Sequence, residues 1–146
     1  MSALAIMLSL LAGLAGSVQA AVMGRFGSRI GIFEALAFSS AVQAVLTAVV
    51  LVALRQSASG YSEATRQPPW LWLGGVMGAF IVLTVTLATP RIGTTATIGL
   101  LIAGQFAMSL LIDRFGLFGF AQIGVSWPRA LGVVLLTIGA ALSLYR

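Results

Sequence analysis

Long apolar runs, broken at intervals by short clusters of arginine, glycine, serine and proline, set the pattern of this chain. Residues 3–23 are apolar except for small residues and Ser9, Ser17 and Gln19, and then Gly24, Arg25, Gly27, Ser28 and Arg29 interrupt the run. The next run covers residues 32–54. It is followed at 55–69 by a conventionally polar loop that ends in Gln67-Pro68-Pro69, a sequence suited to starting a helix. A third run, 70–89, opens with Trp70 and Trp72 and stops at Pro90, which has no N–H to continue a helical ladder. Arg91-Ile92-Gly93 then makes a tight turn into a fourth run, 94–112. Residues 113–120 are aromatic and glycine-rich, too short to span, and suited to a membrane interface. A fifth run at 128–145 follows Ser126, Trp127 and Pro128.

Each run is close to the ~20 residues that carry a helix across a hydrocarbon core of about 30 Å. The pattern therefore predicts an all-α, polytopic membrane protein with five transmembrane helices in a single domain, residues 1–146. Composition agrees: 60% of residues are apolar, only 8% are charged, and the mean hydropathy is +1.08. A soluble domain carries about 25% charged residues, and this chain could not cover its surface with polar groups. Val18-Gln19-Ala20 imitates a signal-peptidase site, but no basic segment precedes the first run, which reads as a span rather than a leader.

With neither Cys nor His, thiolate nucleophiles, imidazole bases and the usual zinc or haem ligands are missing, so neither a catalytic role nor a cofactor or metal is expected. The net charge of +5 comes from eight arginines against Glu34, Glu63 and Asp113. An excess this small, spread over short loops, suits lipid headgroups rather than nucleic acid. Abundant Ala, Gly and Arg with no Lys suggest a GC-rich bacterial genome.

Sliding the chain against itself places Gly13 on Gly75, Gly16 on Gly78, Arg29-Ile30-Gly31 on Arg91-Ile92-Gly93, and Gln43 on Gln105. The first two spans thus resemble the next two. Arginine counts do not orient the chain: Arg25, Arg29, Arg91 and Arg146 fall on one face, and Arg55, Arg66, Arg114 and Arg129 on the other. A dominant local charge or a partner could fix orientation, or the chain could insert both ways. Two oppositely inserted copies would give ten helices with the inverted symmetry that transporters use.

Several motifs carry a resemblance: Gly16-Ser17-Val18-Gln19, Gly24-Arg25-Phe26-Gly27, Trp72-Leu73-Gly74-Gly75-Val76-Met77-Gly78, Pro90-Arg91-Ile92-Gly93, Gly104-Gln105 and Ile112-Asp113-Arg114-Phe115-Gly116-Leu117-Phe118-Gly119. Through these the chain resembles the YdcZ-type family of small inner-membrane proteins in the drug/metabolite transporter superfamily, over nearly its whole length. The resemblance implies a five-helix half transporter that assembles as a pair, a homodimer or a heterodimer with a sister chain, and exports a small organic solute.

Polar groups inside spans are the informative ones, because each costs free energy in hydrocarbon unless it meets a partner or water. Thr94, Thr97, Gln105 and Ser109 fall at helical spacing on one stripe of the fourth span, Thr86 lies on the third, and Gln19 on the first. Gln19, Thr86, Thr97, Gln105 and Ser109 are the candidates for a substrate pathway. Glutamine amides both donate and accept, and suit an uncharged or zwitterionic solute. Their alternative role is bridging between helices. Glu34, the carboxylate near the start of a span, is the candidate for proton coupling; alternatively it complements the helix dipole, with Arg25 or Arg29 neutralising it. Asp113 is expected to order the turn after the fourth span. Gly13, Gly16, Gly74, Gly78 and Gly104 read as helix-packing positions, and Trp70, Trp72 and Trp127 as interface anchors.

The expected function is transport by alternating access in an antiparallel dimer. The chief rival is an accessory membrane subunit without its own path. A narrow channel lacks a ring of like charges, and a lipid-acting enzyme lacks an acid–base pair within reach, since Glu34 and Asp113 belong to ends of different spans.

Overall fold

The computed structural model describes residues 3–54 and 59–145. Among them the regular structure is helical: α1 (Ala3–Ile30), α2 (Ile32–Ala53), α3 (Ser59–Arg66), α4 (Leu73–Ile92), α5 (Thr94–Phe115) and α6 (Trp127–Leu142), with short 3-10 turns at Pro69–Trp72 and Leu117–Gly119. Four stretches, Ala3–Ile30, Ile32–Ala53, Pro69–Ile92 and Thr94–Phe115, are long and apolar enough to cross a membrane, and Trp127–Leu142 is a shorter apolar helix. At 1.5 Å per residue α6 measures about 24 Å, a few ångströms less than a typical hydrocarbon core. Only 6% to 17% of each long span is buried within the chain. Most of the apolar side chains are left for lipid or another protein to cover, as in an all-α, polytopic membrane protein.

Helix ends depart from the sequence pattern at four places, one of them α6, which stops at Leu142 rather than at 145. α1 does not stop near Met23 but runs through Gly24, Arg25 and Gly27 to Ile30. A glycine inside a helix costs only about 1 kcal/mol, which a long apolar helix tolerates, and the stop comes where the backbone changes hand, at Gly31. α4 continues past Pro90 to Ile92, because a proline removes a single donor and its fixed φ is still helical. α5 extends to Phe115, where Gly116 caps it in the left-handed conformation (φ 61°, ψ 36°), its N–H donating to the Ile112 carbonyl. The polar loop also contains a helix that the apolar pattern did not signal, α3.

The chain divides into two compact units, residues 22–87 and residues 1–21 with 88–146. In the first, Phe26 meets Phe38 edge to face with ring centroids 5.7 Å apart, and Trp72 Nε1 donates to the Ala64 carbonyl at 3.3 Å. This bond ties the start of the third span to α3. In the second, α5 packs along α6. A Cβ built on Gly99 would lie 3.3 Å from the Ala140 Cβ, and one on Gly132 would lie 3.1 Å from the Phe106 ring. These glycines let two backbones approach closely, which is how helices associate in lipid. Beside this contact lies an open, apolar groove of about 450 Å³, with Gly99, Ile102, Leu136 and Ala140 in its walls.

Candidate functional site

Both Arg-Ile-Gly sequences make the same turn. α1 ends at Ile30 and α4 at Ile92, and one glycine follows each. Gly31 has φ 104° and ψ 151°, and Gly93 has φ 85° and ψ 160°, a region open to glycine and strained for other residues. The Gly31 N–H donates to the Gly27 carbonyl at 3.1 Å and the Gly93 N–H to the Thr89 carbonyl at 3.0 Å. Each glycine carbonyl then accepts the N–H of the residue four positions on, Ala35 or Thr97, at 3.1 Å. The similarity of the first two spans to the next two thus extends to backbone conformation.

The same register holds further along. α2 and α5 each contain 22 residues, and Gln43 and Gln105 stand near their centres, equally far along the chain from Gly31 and Gly93. Thr47 Oγ1 donates to the Gln43 carbonyl at 2.9 Å and Ser109 Oγ to the Gln105 carbonyl at 2.8 Å. Gln105 and Ser109 are exposed, as is Gln19 on α1.

The threonines behave differently. Thr86 is only 1% exposed, its hydroxyl donates to the Val82 carbonyl at 2.7 Å, and its Cγ2 methyl fills the place a side chain on Gly27 would need. Thr97 is likewise buried and donates to the Gly93 carbonyl at 2.8 Å. Both hydroxyls have committed their protons to their own helices, so in this conformation they offer a solute acceptor lone pairs alone. Thr89, beside Pro90, has a buried hydroxyl that finds no partner among the described residues. Of the five pathway candidates, then, Gln19, Gln105 and Ser109 are uncovered, and Thr86 and Thr97 are packed.

Glu34 is the third residue of α2, exposed, and its carboxylate folds back against Gly31 at the helix start. A negative charge there complements the unpaired amides of the first turn. Among the described residues it forms no ion pair with Arg25 or Arg29; the ion pair present joins Asp113 Oδ2 to Arg129 Nη1 at 3.1 Å. Asp113 also accepts the Ile123 N–H on its backbone carbonyl at 2.8 Å. Asp113 therefore ties α5 both to Ile123, within the segment between α5 and α6, and to Arg129 on α6. Its charged partner was not apparent from local sequence, since it lies sixteen residues further on.

Gly13, Gly16, Gly74, Gly78 and Gly104 face open space, for a Cβ on any of them would meet nothing within 4 Å. Glycines within helices that the chain does pack against include Gly27, Gly99 and Gly132. Spacing alone could not separate the two sets, because both recur at helical intervals. Trp70, Trp72 and Trp127 are all exposed, Trp127 to 76%, as interface anchors require.

No curated protein and no solved structure matches the chain. A family model described as "Putative inner membrane exporter, YdcZ" matches residues 4–142. With four helices long and apolar enough to span a bilayer and a match over nearly its whole length, the chain belongs to the YdcZ family of multi-pass inner-membrane exporters in the drug/metabolite transporter superfamily.

Proposed function

We propose that two copies of this chain, inserted in opposite orientations, form one exporter that carries a small organic solute by alternating access. The observation that carries the reading is Gln105, an exposed amide near the centre of an apolar 22-residue helix. Leaving an amide unpartnered in an apolar medium costs about 2–7 kcal/mol. Gln105 therefore requires a hydrogen-bonding partner beyond its own helix, which water and a polar solute supply in this reading. Gln19 on α1 and Ser109 beside Gln105 add exposed hydrogen-bonding groups.

Antiparallel pairing is supported by the even division of the arginines, Arg25, Arg29, Arg91 and Arg146 against Arg55, Arg66, Arg114 and Arg129, which leaves no preferred orientation. It is supported also by Gly13, Gly16, Gly74, Gly78 and Gly104, small positions that the single chain leaves uncovered and that a second copy fills. The two halves rock about a site near the midplane, and differential affinity of solute and proton for the two states supplies the bias. Glu34 is the group that exchanges the proton.

The test compares cells producing the native chain with cells producing Gln105→Leu, by mass spectrometry of the medium and by the size of the detergent-solubilised protein. The expected result is a solute enriched outside by the native chain and not by the variant, with both proteins dimeric. A variant that exports normally, or that loses export only because it is monomeric, assigns Gln105 to packing instead.

A further inference from the structure

The structure assigns a second solute-facing amide, Gln43 on α2, which polar patterning of α1, α4 and α5 does not include. The inference rests on the transport reading above and adds a helix to it. Gln43 repeats every feature that singles out Gln105. It stands near the middle of a 22-residue apolar helix, about 16 Å from either end at 1.5 Å per residue, and it is exposed. A hydroxyl one turn on, Thr47, caps its backbone carbonyl as Ser109 caps that of Gln105. The same turn, at Gly31 and at Gly93, sets the start of each helix and so the depth of each amide.

Gln43 also carries something Gln105 lacks. Its Nε2 donates to Ser39 Oγ at 3.3 Å, one turn back, while its amide oxygen meets no donor among the described residues. One N–H is thereby engaged along the helix, and the carbonyl and the second N–H are left as an acceptor and a donor. Such a pair matches a carboxamide, a hydroxyl or another neutral group that both donates and accepts. It offers no counter-charge, and the acids of the spans, Glu34 and Asp113, stand near helix ends. The ligand chemistry is therefore an uncharged, hydrogen-bonding solute. Two residues on, Val45 joins Ala48, Val49 and Val52 in an apolar surface of the same helix, which suits lipid contact.

Because the chain has no native cysteine, single cysteines report on each side of α2 without background. Gln43→Cys, Gln105→Cys and Val45→Cys are made separately, and each is treated in intact membranes with the water-soluble reagent methanethiosulfonate ethyltrimethylammonium. The reactive species is the thiolate, which requires water, so a lipid-facing or tightly packed cysteine reacts at least about tenfold more slowly than one on an aqueous path. The expected result is fast modification at positions 43 and 105 and slow modification at 45. Slow modification at 43 with fast modification at 105 overturns the inference while leaving the transport reading intact. Slow modification at both overturns the transport reading itself. Any unmodified variant is then denatured in detergent and must label fully, which separates a protected thiol from a protein that failed to accumulate. Among variants that accumulate, export by Gln43→Asn with loss of export by Gln43→Leu is the expected pattern; equal export by both contradicts a hydrogen-bonding role.

Discussion

Gly31 and Gly93 hold the same backbone conformation, φ 104° and 85° with ψ near 155°, each as the single residue between two helices. Residues with a side chain reach this region only at a cost of about 1–3 kcal/mol. Gly31→Ala and Gly93→Ala should each destabilise the detergent-solubilised protein by that order, read as a lower thermal midpoint. The two losses should be similar, since the Glu34 carboxylate that a Cβ on Gly31 would meet is the end of an exposed side chain that can turn away. Gly75→Ala, where a Cβ would meet nothing within 4 Å and which is not among the glycines assigned to the pairing of two copies, serves as the control and should not destabilise the fold. Equal midpoints for all three variants would mean that the two turns carry no strain.

Gly27 is buried against Thr86, whose Cγ2 methyl stands where a Cβ at position 27 would lie. Gly27→Ala should destabilise by about 1–3 kcal/mol through overpacking, despite alanine's better helix propensity. Adding Thr86→Ser removes the Cγ2 methyl that a Cβ at position 27 would meet and keeps the hydroxyl that donates to Val82. The double variant should recover most of the loss in a chemical-denaturation series. Failure of the second change to rescue the first would place the clash elsewhere.

Asp113 and Arg129 are bonded at 3.1 Å, yet their side chains remain 37% and 42% exposed. Exposed pairs contribute about 0–1 kcal/mol, and solvent and headgroup screening keeps this one in that range. A double-mutant cycle with Asp113→Asn and Arg129→Gln should give a coupling below about 1 kcal/mol. A much larger coupling would show that the segment between α5 and α6 depends on the pair rather than on the Ile123 backbone bond to Asp113.

The spans were legible because hydrocarbon thickness leaves a strong signal: every long apolar run became a helix. Their ends were less so. Gly24 and Gly27 read as a break, but a helix tolerates glycine, and Gly27 is there to admit Thr86 from a distant part of the chain. Pro90 read as a stop, but it falls within the last turn of α4, where a single missing donor does little. The recurrence of Arg-Ile-Gly was the better guide, since a required backbone conformation recurs with its residue. The polar candidates divided by burial, which one sequence does not display: Thr86 and Thr97 turned inward, and Gln19, Gln105 and Ser109 stayed uncovered. Gln43 is the repeat partner of Gln105 and shares one face of α2 with Ser39 and Thr47, at four-residue spacing.

The account stands or falls on antiparallel pairing, and orientation tests it most directly. A single cysteine is placed at Ser59→Cys, in the polar loop, and separately after Arg146. Intact cells are then labelled with a membrane-impermeant thiol reagent before and after permeabilisation. Antiparallel pairing predicts labelling of roughly half of the molecules from outside at each site, in line with the even arginine balance. Complete labelling at one site with complete protection at the other would show a single orientation and contradict an antiparallel homodimer.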